Sequence, residues 1–153
     1  MQTSNSNLQR AKDYALRSLT CLDQTEAQIR GKLVQKGYTE EIVDQVTDFL
    51  KAYNYLNDER FVEQYVMTHC LRLNRKQLKE HLYRKGIHQA DIDFYLTEYA
   101  YDEQKLLQKE VQKYLRKREL SDASEREKVI AHFVRKGYSY RDIRLILSEC
   151  EKN

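Results

Sequence analysis

The chain has 153 residues, no proline, four glycines and 33% charged side chains. So little turn chemistry excludes a sheet-rich fold and points to continuous helices with brief connections. The formal net charge is only +3, too mild to mark a nucleic-acid binder by itself, and no stretch approaches the roughly 20 apolar residues of a membrane span.

Residues 1–7 are polar, lack the apolar run of a signal peptide and are expected to form a flexible tail. A helix follows from Leu8, with Ala11, Ala15, Leu19 and Leu22 on one face. Asp23-Gln24-Thr25 interrupts it, and Thr25 caps a short helix that runs to Lys36. A third helix starts near Thr39 and fades around Ala52. Asn57 or Asp58 caps the next, and Asp58 and Glu59 lie in its first turn, where acids suit the helix dipole. Val62, Val66 and Cys70 then recur at a spacing of four, and this helix is expected to end near Leu73. Asn74 or Arg75 opens a second short helix, followed by one from Gln89 to Tyr99. A long helix spans about Asp102 to Arg118 and carries Leu107, Val111 and Tyr114. The segment Ser121-Asp122-Ala123-Ser124 connects it to a third short helix and its amphipathic partner.

The three short helices end alike. Each stops at lysine-glycine, at Gly37, Gly86 and Gly137, so the pattern recurs about every fifty residues. Four residues before each glycine sits Leu33, Leu82 or Phe133, and one after it Tyr38, Ile87 or Tyr138. Glycine tolerates the left-handed conformation that ends a helix, and the residue after it then packs back on the last turn. Thr39 and Ser139 stand where the next helix needs a cap, and His88 is a poorer one. Beyond them, Val43, Val46 and Leu50 are answered by Ile92, Tyr95 and Tyr99, and by Ile143, Ile146 and Cys150. The expected fold is therefore all-α: nine helices as three tandem three-helix repeats, residues 8–52, 57–99 and 102–150, in an elongated, curved array. Gly31 lies inside a helix, which either a close helix crossing or drift explains.

No catalytic constellation, phosphate loop or metal-ligand spacing appears, so neither enzyme activity nor a cofactor is expected. His69, His81, His88 and His132 occupy unrelated repeat positions. Cys21, Cys70 and Cys150 are scattered, and with no signal peptide the expected compartment is the cytoplasm. The helix-turn-helix pattern does not suit a DNA-reading repressor, because Glu40, Glu41, Asp44, Asp48, Asp91, Asp93 and Glu98 load the second helices with carboxylates that repel phosphate. Basic residues concentrate instead on the short helices and on the long helix before the third. They are Arg30, Lys32 and Lys36; Arg75, Lys76, Lys79, Arg84 and Lys85; Lys113, Arg116, Lys117 and Arg118; and Arg126, Lys128, Arg135 and Lys136. Singly, each solvates a charge-rich surface; as a recurring stripe they suit a polymeric, anionic partner. Tyr83, Tyr101 and Tyr140 are not needed by the core and are candidates for a partner surface.

Two stretches, ALRSLTCLDQTEAQIRGKLVQKGYTEEIV and YLNDERFVEQYV, resemble the RecX regulators of the bacterial RecA recombinase. The second is the more specific, through Tyr55, Leu56, Asp58, Glu59, Arg60 and Phe61. The resemblance covers Leu8 to Cys150 and implies tandem three-helix repeats, a cytoplasmic location and no catalytic residues. It also implies a partner, the RecA filament on DNA, whose ATP hydrolysis, strand exchange and growth the protein inhibits in the setting of DNA repair and SOS control. A monomer with weak direct binding to single- or double-stranded DNA is expected. The six motif residues are expected to be structural. From the basic stripe, Arg30, Lys32, Lys36, Arg75, Lys76, Lys79, Arg84, Lys85, Arg116, Lys117, Arg118, Arg135 and Lys136 are the candidates for touching RecA or DNA. An alternative stays open: a low-specificity DNA-binding helical repeat that acts by occupying DNA.

Overall fold

The computed structural model describes residues 2–98, 102–118, 120 and 122–152. Among them lie nine helices and no strand: α1 (Gln2–Cys21), α2 (Glu26–Gln35), α3 (Glu40–Ala52), α4 (Asp58–His69), α5 (Arg75–Arg84), α6 (Gln89–Glu98), α7 (Glu103–Leu115), α8 (Ala123–Lys136) and α9 (Tyr140–Lys152). Met1 lies outside the described residues, and residues 2–7, expected as part of a tail, are the first turns of α1 instead. Extending a formed helix adds a hydrogen bond per residue, and nothing polar there obstructs it. Helices α4 and α7 end at His69 and Leu115, short of Leu73 and Arg118, because Cys70 and Arg116 act as C-caps and the chain turns. Tyr99, Tyr101 and Ser121 lie outside the described residues.

The apolar faces build three separate cores. Ala11, Ala15, Ile29, Leu33, Val43, Val46, Leu50 and Leu56 form the first. Val62, Val66, Leu78, Leu82, Ile87, Ile92 and Leu96 form the second. Leu107, Val111, Val129, Ile130, Phe133, Tyr138, Ile143, Ile146 and Leu147 form the third. All helix pairs with substantial packing lie within one set of three. The accessible surface of 10676 Å² exceeds the roughly 8,200 Å² of a compact chain of this mass, as an extended array requires.

The lysine-glycine stops have the expected geometry. Gly37, Gly86 and Gly137 have φ of +93°, +93° and +111°. The amide of the following residue returns to the last turn: Tyr38 to Leu33 O at 3.2 Å, Ile87 to Leu82 O at 3.3 Å and Tyr138 to Phe133 O at 3.2 Å. Gly31 has no neighbour where a β-carbon would go, so no close crossing explains it.

Two of these stops, at Gly86 and Gly137, also joint one repeat to the next. The N-terminus of α2 meets the C-terminus of α5, and the N-terminus of α5 meets the C-terminus of α8. Thr25 Oγ1 donates to Lys85 O at 2.5 Å, and Asn74 Nδ2 donates to Lys136 O at 2.9 Å. Each cap simultaneously closes its own helix in a capping box, with Gln28 or Gln77. The next amide along is also taken across the joint: Glu26 N donates to Asp58 Oδ1 at 2.9 Å and Arg75 N to Glu103 Oε1 at 3.0 Å. Ala27 lies against Gly86, and the Lys76 stem lies against Gly137.

The motif residues Tyr55 to Phe61 serve this construction. Leu56 is 3% exposed in the first core. Asn57 caps α4 by accepting from Arg60 N at 3.0 Å. The Arg60 guanidinium donates to Asn54 O at 3.0 Å and Tyr55 O at 3.4 Å, holding a turn in which Asn54 has φ of +60°. Phe61 stacks on Tyr65 with centroids 5.9 Å apart. Tyr55 is exposed, and Glu59 occupies the first turn of α4.

Candidate functional site

The basic residues do not form one uniform stripe. Arg30 is held by Glu26 at 3.2 Å and Asp44 at 2.7 Å, and Lys79 by Asp93 at 2.9 Å. Arg75 and Lys76 belong to the joint between the second and third repeats. Lys85 lies over the rings of Tyr65 and Phe61, 5.6 and 6.0 Å from their centroids. Arg84 and Arg135 are exposed on the short helices, and Arg116 lines a separate cleft with Glu149 and Lys152 between α7 and α9. Arg126 pairs with Glu151 at 2.8 Å and Lys128 with Glu125 at 3.3 Å; the remainder gather in two grooves, each between the long and the short helix of one repeat.

The first groove, of about 690 Å³, runs between α1 and α2 and presents Arg10, Arg17, Lys32 and Lys36 against one acid, Asp13. Tyr14 and Tyr38 lie among them. Lys36 Nζ sits 4.9 Å from the centroid of Tyr14, and Lys32 Nζ lies 3.0 Å from Ser18 Oγ. None of the four cations is in an ion pair with another described residue.

The second groove, of about 350 Å³, runs between α7 and α8 and, among the described residues, presents Lys113, Lys117, Arg118 and Lys136 against one acid, Glu110. Tyr114 forms part of its wall. Arg118 lies 4.6 Å from that ring's centroid and donates to its hydroxyl at 2.7 Å. Glu110 is already engaged, accepting from Tyr138 Oη at 2.9 Å with Lys136 Nζ at 3.8 Å. Burial, then this carboxylate, hold the Tyr138 hydroxyl protonated far above its ordinary range. His132 packs on Tyr114 at 4.7 Å. Burial pushes its pKa down, and Lys136, Arg135 and Arg118 push it further.

The two grooves occupy equivalent places in their repeats. Tyr14 and Tyr114 stand at the same distance before their glycines, as do Arg17 and Lys117, and Lys36 and Lys136. Matched on the buried pairs Ala11/Ala15 and Val62/Val66, the middle repeat has Tyr65 and Thr68 at the first two positions. There Phe61, Tyr65 and His69 form an aromatic stack, with Tyr65 Oη 2.8 Å from His81 Nδ1. Recurrence on the short helices alone pointed to Lys32, Lys36 and Lys136. It missed Arg10 and Arg17, whose signal was the match of Arg17 to Lys117 on the long helices.

Among the described residues no cluster of three or more His, Cys, Asp or Glu could hold a metal, and no helix is long and apolar enough to cross a membrane. Tyr83 and Tyr140 are 65% and 56% exposed, and the Arg144 guanidinium lies 5.6 Å from the centroid of the Tyr140 ring.

Residues 11–50 match the family model for the first three-helix domain of RecX. The chain is 30% identical over 145 residues to the Regulatory protein RecX of Clostridium acetobutylicum, covering 91% of this chain and 68% of that one. It is 31% identical over 138 residues to the protein of the same name from Clostridium perfringens, covering 86% and 64%. The crystal structure of RecX from Lactobacillus salivarius superposes with a TM-score of 0.86 at 21% identity, over 97% of this chain and 99% of that one. A second crystal structure, of a regulatory protein RecX, gives 0.82 at 25% identity, over 95% and 74%.

Proposed function

The chain belongs to the RecX family of regulatory proteins, and from that premise we propose that it is a negative regulator of the RecA recombinase. It binds the RecA filament on DNA and restrains ATP hydrolysis, strand exchange and filament growth, as a monomer in the cytoplasm. The observation that carries this reading is the combination of an extended, three-core array with two four-cation grooves in equivalent places. Such an array touches a long partner at several points at once, and the grooves suit one that is anionic.

The test is RecA-catalysed, single-strand-dependent ATP hydrolysis with this protein titrated in. Inhibition well below one copy per RecA supports action on the filament. No inhibition at any ratio, with folded protein and a cognate RecA, overturns the reading. A second reading is occupation of DNA itself, favoured by the absence of ion-pair partners for Arg10, Arg17, Lys32 and Lys36 among the described residues. It predicts inhibition only at levels that coat the strand, and affinity for naked DNA that falls steeply with salt.

A further inference from the structure

We infer that the α1/α2 and α7/α8 grooves are a matched pair of clamps that grip one nucleic-acid strand at two points by its phosphates. This rests only on the nucleic-acid part of the reading above and does not need RecA. Three observations lead to it. The grooves repeat a tyrosine, a long-helix cation and a stop lysine: Tyr14, Arg17 and Lys36 in one, Tyr114, Lys117 and Lys136 in the other. The middle repeat keeps the tyrosine and the stop lysine, with Lys85 5.6 Å from the ring of Tyr65, but has the uncharged Thr68 where the cation stands, so the two complete copies flank an incomplete one. In each groove the one acid is outnumbered four to one, and cations beside half-exposed aromatic rings are what single strands bind.

Lys113 in the last turn of α7 and Lys117 just beyond its C-cap also suit the dipole of that helix. That role explains their presence on one helix, but not the matching cations of α1, whose last turn holds no basic residue. The short helices set the span. Between Lys36 and Lys136 lie α2 and α5, ten residues each and abutting end to end, which is about 30 Å of helix. A stacked strand rises about 3.4 Å per nucleotide. One of about 4 nucleotides therefore fills a single clamp, and one of about 20 nucleotides reaches both. Linking two weak sites in this way raises affinity far beyond either alone.

The experiment is fluorescence anisotropy of labelled oligothymidylates of these two lengths with the full chain, at two salt concentrations and without RecA. The longer strand is expected to bind at least about tenfold tighter than the shorter. Arg17→Glu or Lys117→Glu alone is expected to bring the long strand down to the affinity of the short one. The double variant abolishes what is left. Both side chains are exposed, and circular dichroism verifies that the variants fold; Arg17→Gln and Lys117→Gln give the same order with smaller losses. The His132 ring resonances move toward the protonated form when phosphate enters the second groove, and this shift disappears in Lys117→Glu. Equal affinity for both lengths overturns the pairing, as does an Arg84→Glu variant, outside both grooves, losing as much as Arg17→Glu. Polyglutamate of matched charge competing as well as the oligonucleotide overturns the phosphate assignment.

Discussion

Gly37 and Gly86 end equivalent helices with the same φ of +93°, yet only one of them is crowded. A β-carbon on Gly37 would meet nothing within 4 Å, whereas one on Gly86 would overlap the β-carbon of Ala27. Gly37 is a helix stop; Gly86 is a helix stop against which the first repeat is seated. The caps divide along the same line. Thr25 and Asn74, at internal joints, both accept from their own helix and donate across the joint. At the far end, α8 is capped by Asp122, which accepts from Glu125 N at 2.9 Å and, ionised, has no proton to donate. One local motif therefore does two jobs inside the array and one at its ends.

Gly86→Ala gives the largest expected effect. A left-handed alanine costs about 1–2 kcal/mol, and forcing a methyl group into a filled space costs about 1–3 kcal/mol more. The two cross-joint hydrogen bonds are worth about 1–3 kcal/mol together. The clash is thus comparable to the joint that opposes it, and the repeats have separate cores. The outcome expected is an opened first joint with the repeats still folded: faster hydrogen exchange at the Glu26 amide and little change in helical circular dichroism. Gly137→Ala is expected to be only slightly milder, because the methyl group would meet not just the mobile part of the Lys76 stem but also its β-carbon, which is fixed to the backbone.

Asn74→Asp is next. The carboxylate still caps Gln77 but cannot donate to Lys136 O, and it faces that carbonyl in a fully buried position. A loss of about 2 kcal/mol is expected in urea melts. Thr25→Val, which removes cap and joint together, provides the comparison. Gly37→Ala follows at about 1 kcal/mol of backbone strain alone. If it equals Gly86→Ala, the distinction between occupied and open stops falls.

These joints mark where sequence reasoning stopped. Nine helices, three repeats and the Schellman-type stops were legible because periodicity, glycine and cap residues act locally. The helical start of α1 was not, since its polar residues carry no pattern and gain only from continuing a formed helix. Asp58 shows the harder limit: a cap and a dipole partner is all its neighbours suggest, yet Asn57 is the cap and Asp58 reaches a helix 32 residues away in the chain. The basic stripe was half legible. Charge on the short helices was visible, but Arg30 and Lys79 are neutralised by acids on the following helices, and Arg10 and Arg17 enter the first groove only once α1 lies beside α2.

The smallest effect expected, Asp58→Asn, tests the chemistry of the first joint. Burial raises the Asp58 pKa, and the nearby Glu26 and Asp91 charges add to this against the lowering by the Glu26 amide. A carboxyl with a raised folded value binds its proton more tightly in the folded chain. Its stabilising contribution is complete below the unfolded value and is lost as pH rises through the folded one. At neutral pH ionised Asp58 is therefore costlier than a neutral side chain of the same shape. Glu26 runs the other way. Burial alone would raise its value, but hydrogen bonds from Lys51 and Arg30 outweigh that and lower it; its contribution is present at neutral pH and lost as pH falls through the folded value. Asparagine at 58 keeps an oxygen for the Glu26 amide and removes a charge beside the Glu26 carboxylate. Stability at pH 7 should rise by somewhat less than about 1 kcal/mol, the gain shrinking to nothing by about pH 3, where Asp58 is protonated. Denaturant melts of both proteins across that range measure it. A variant less stable at neutral pH would mean that the ionised carboxylate strengthens the amide bond by more than its burial costs.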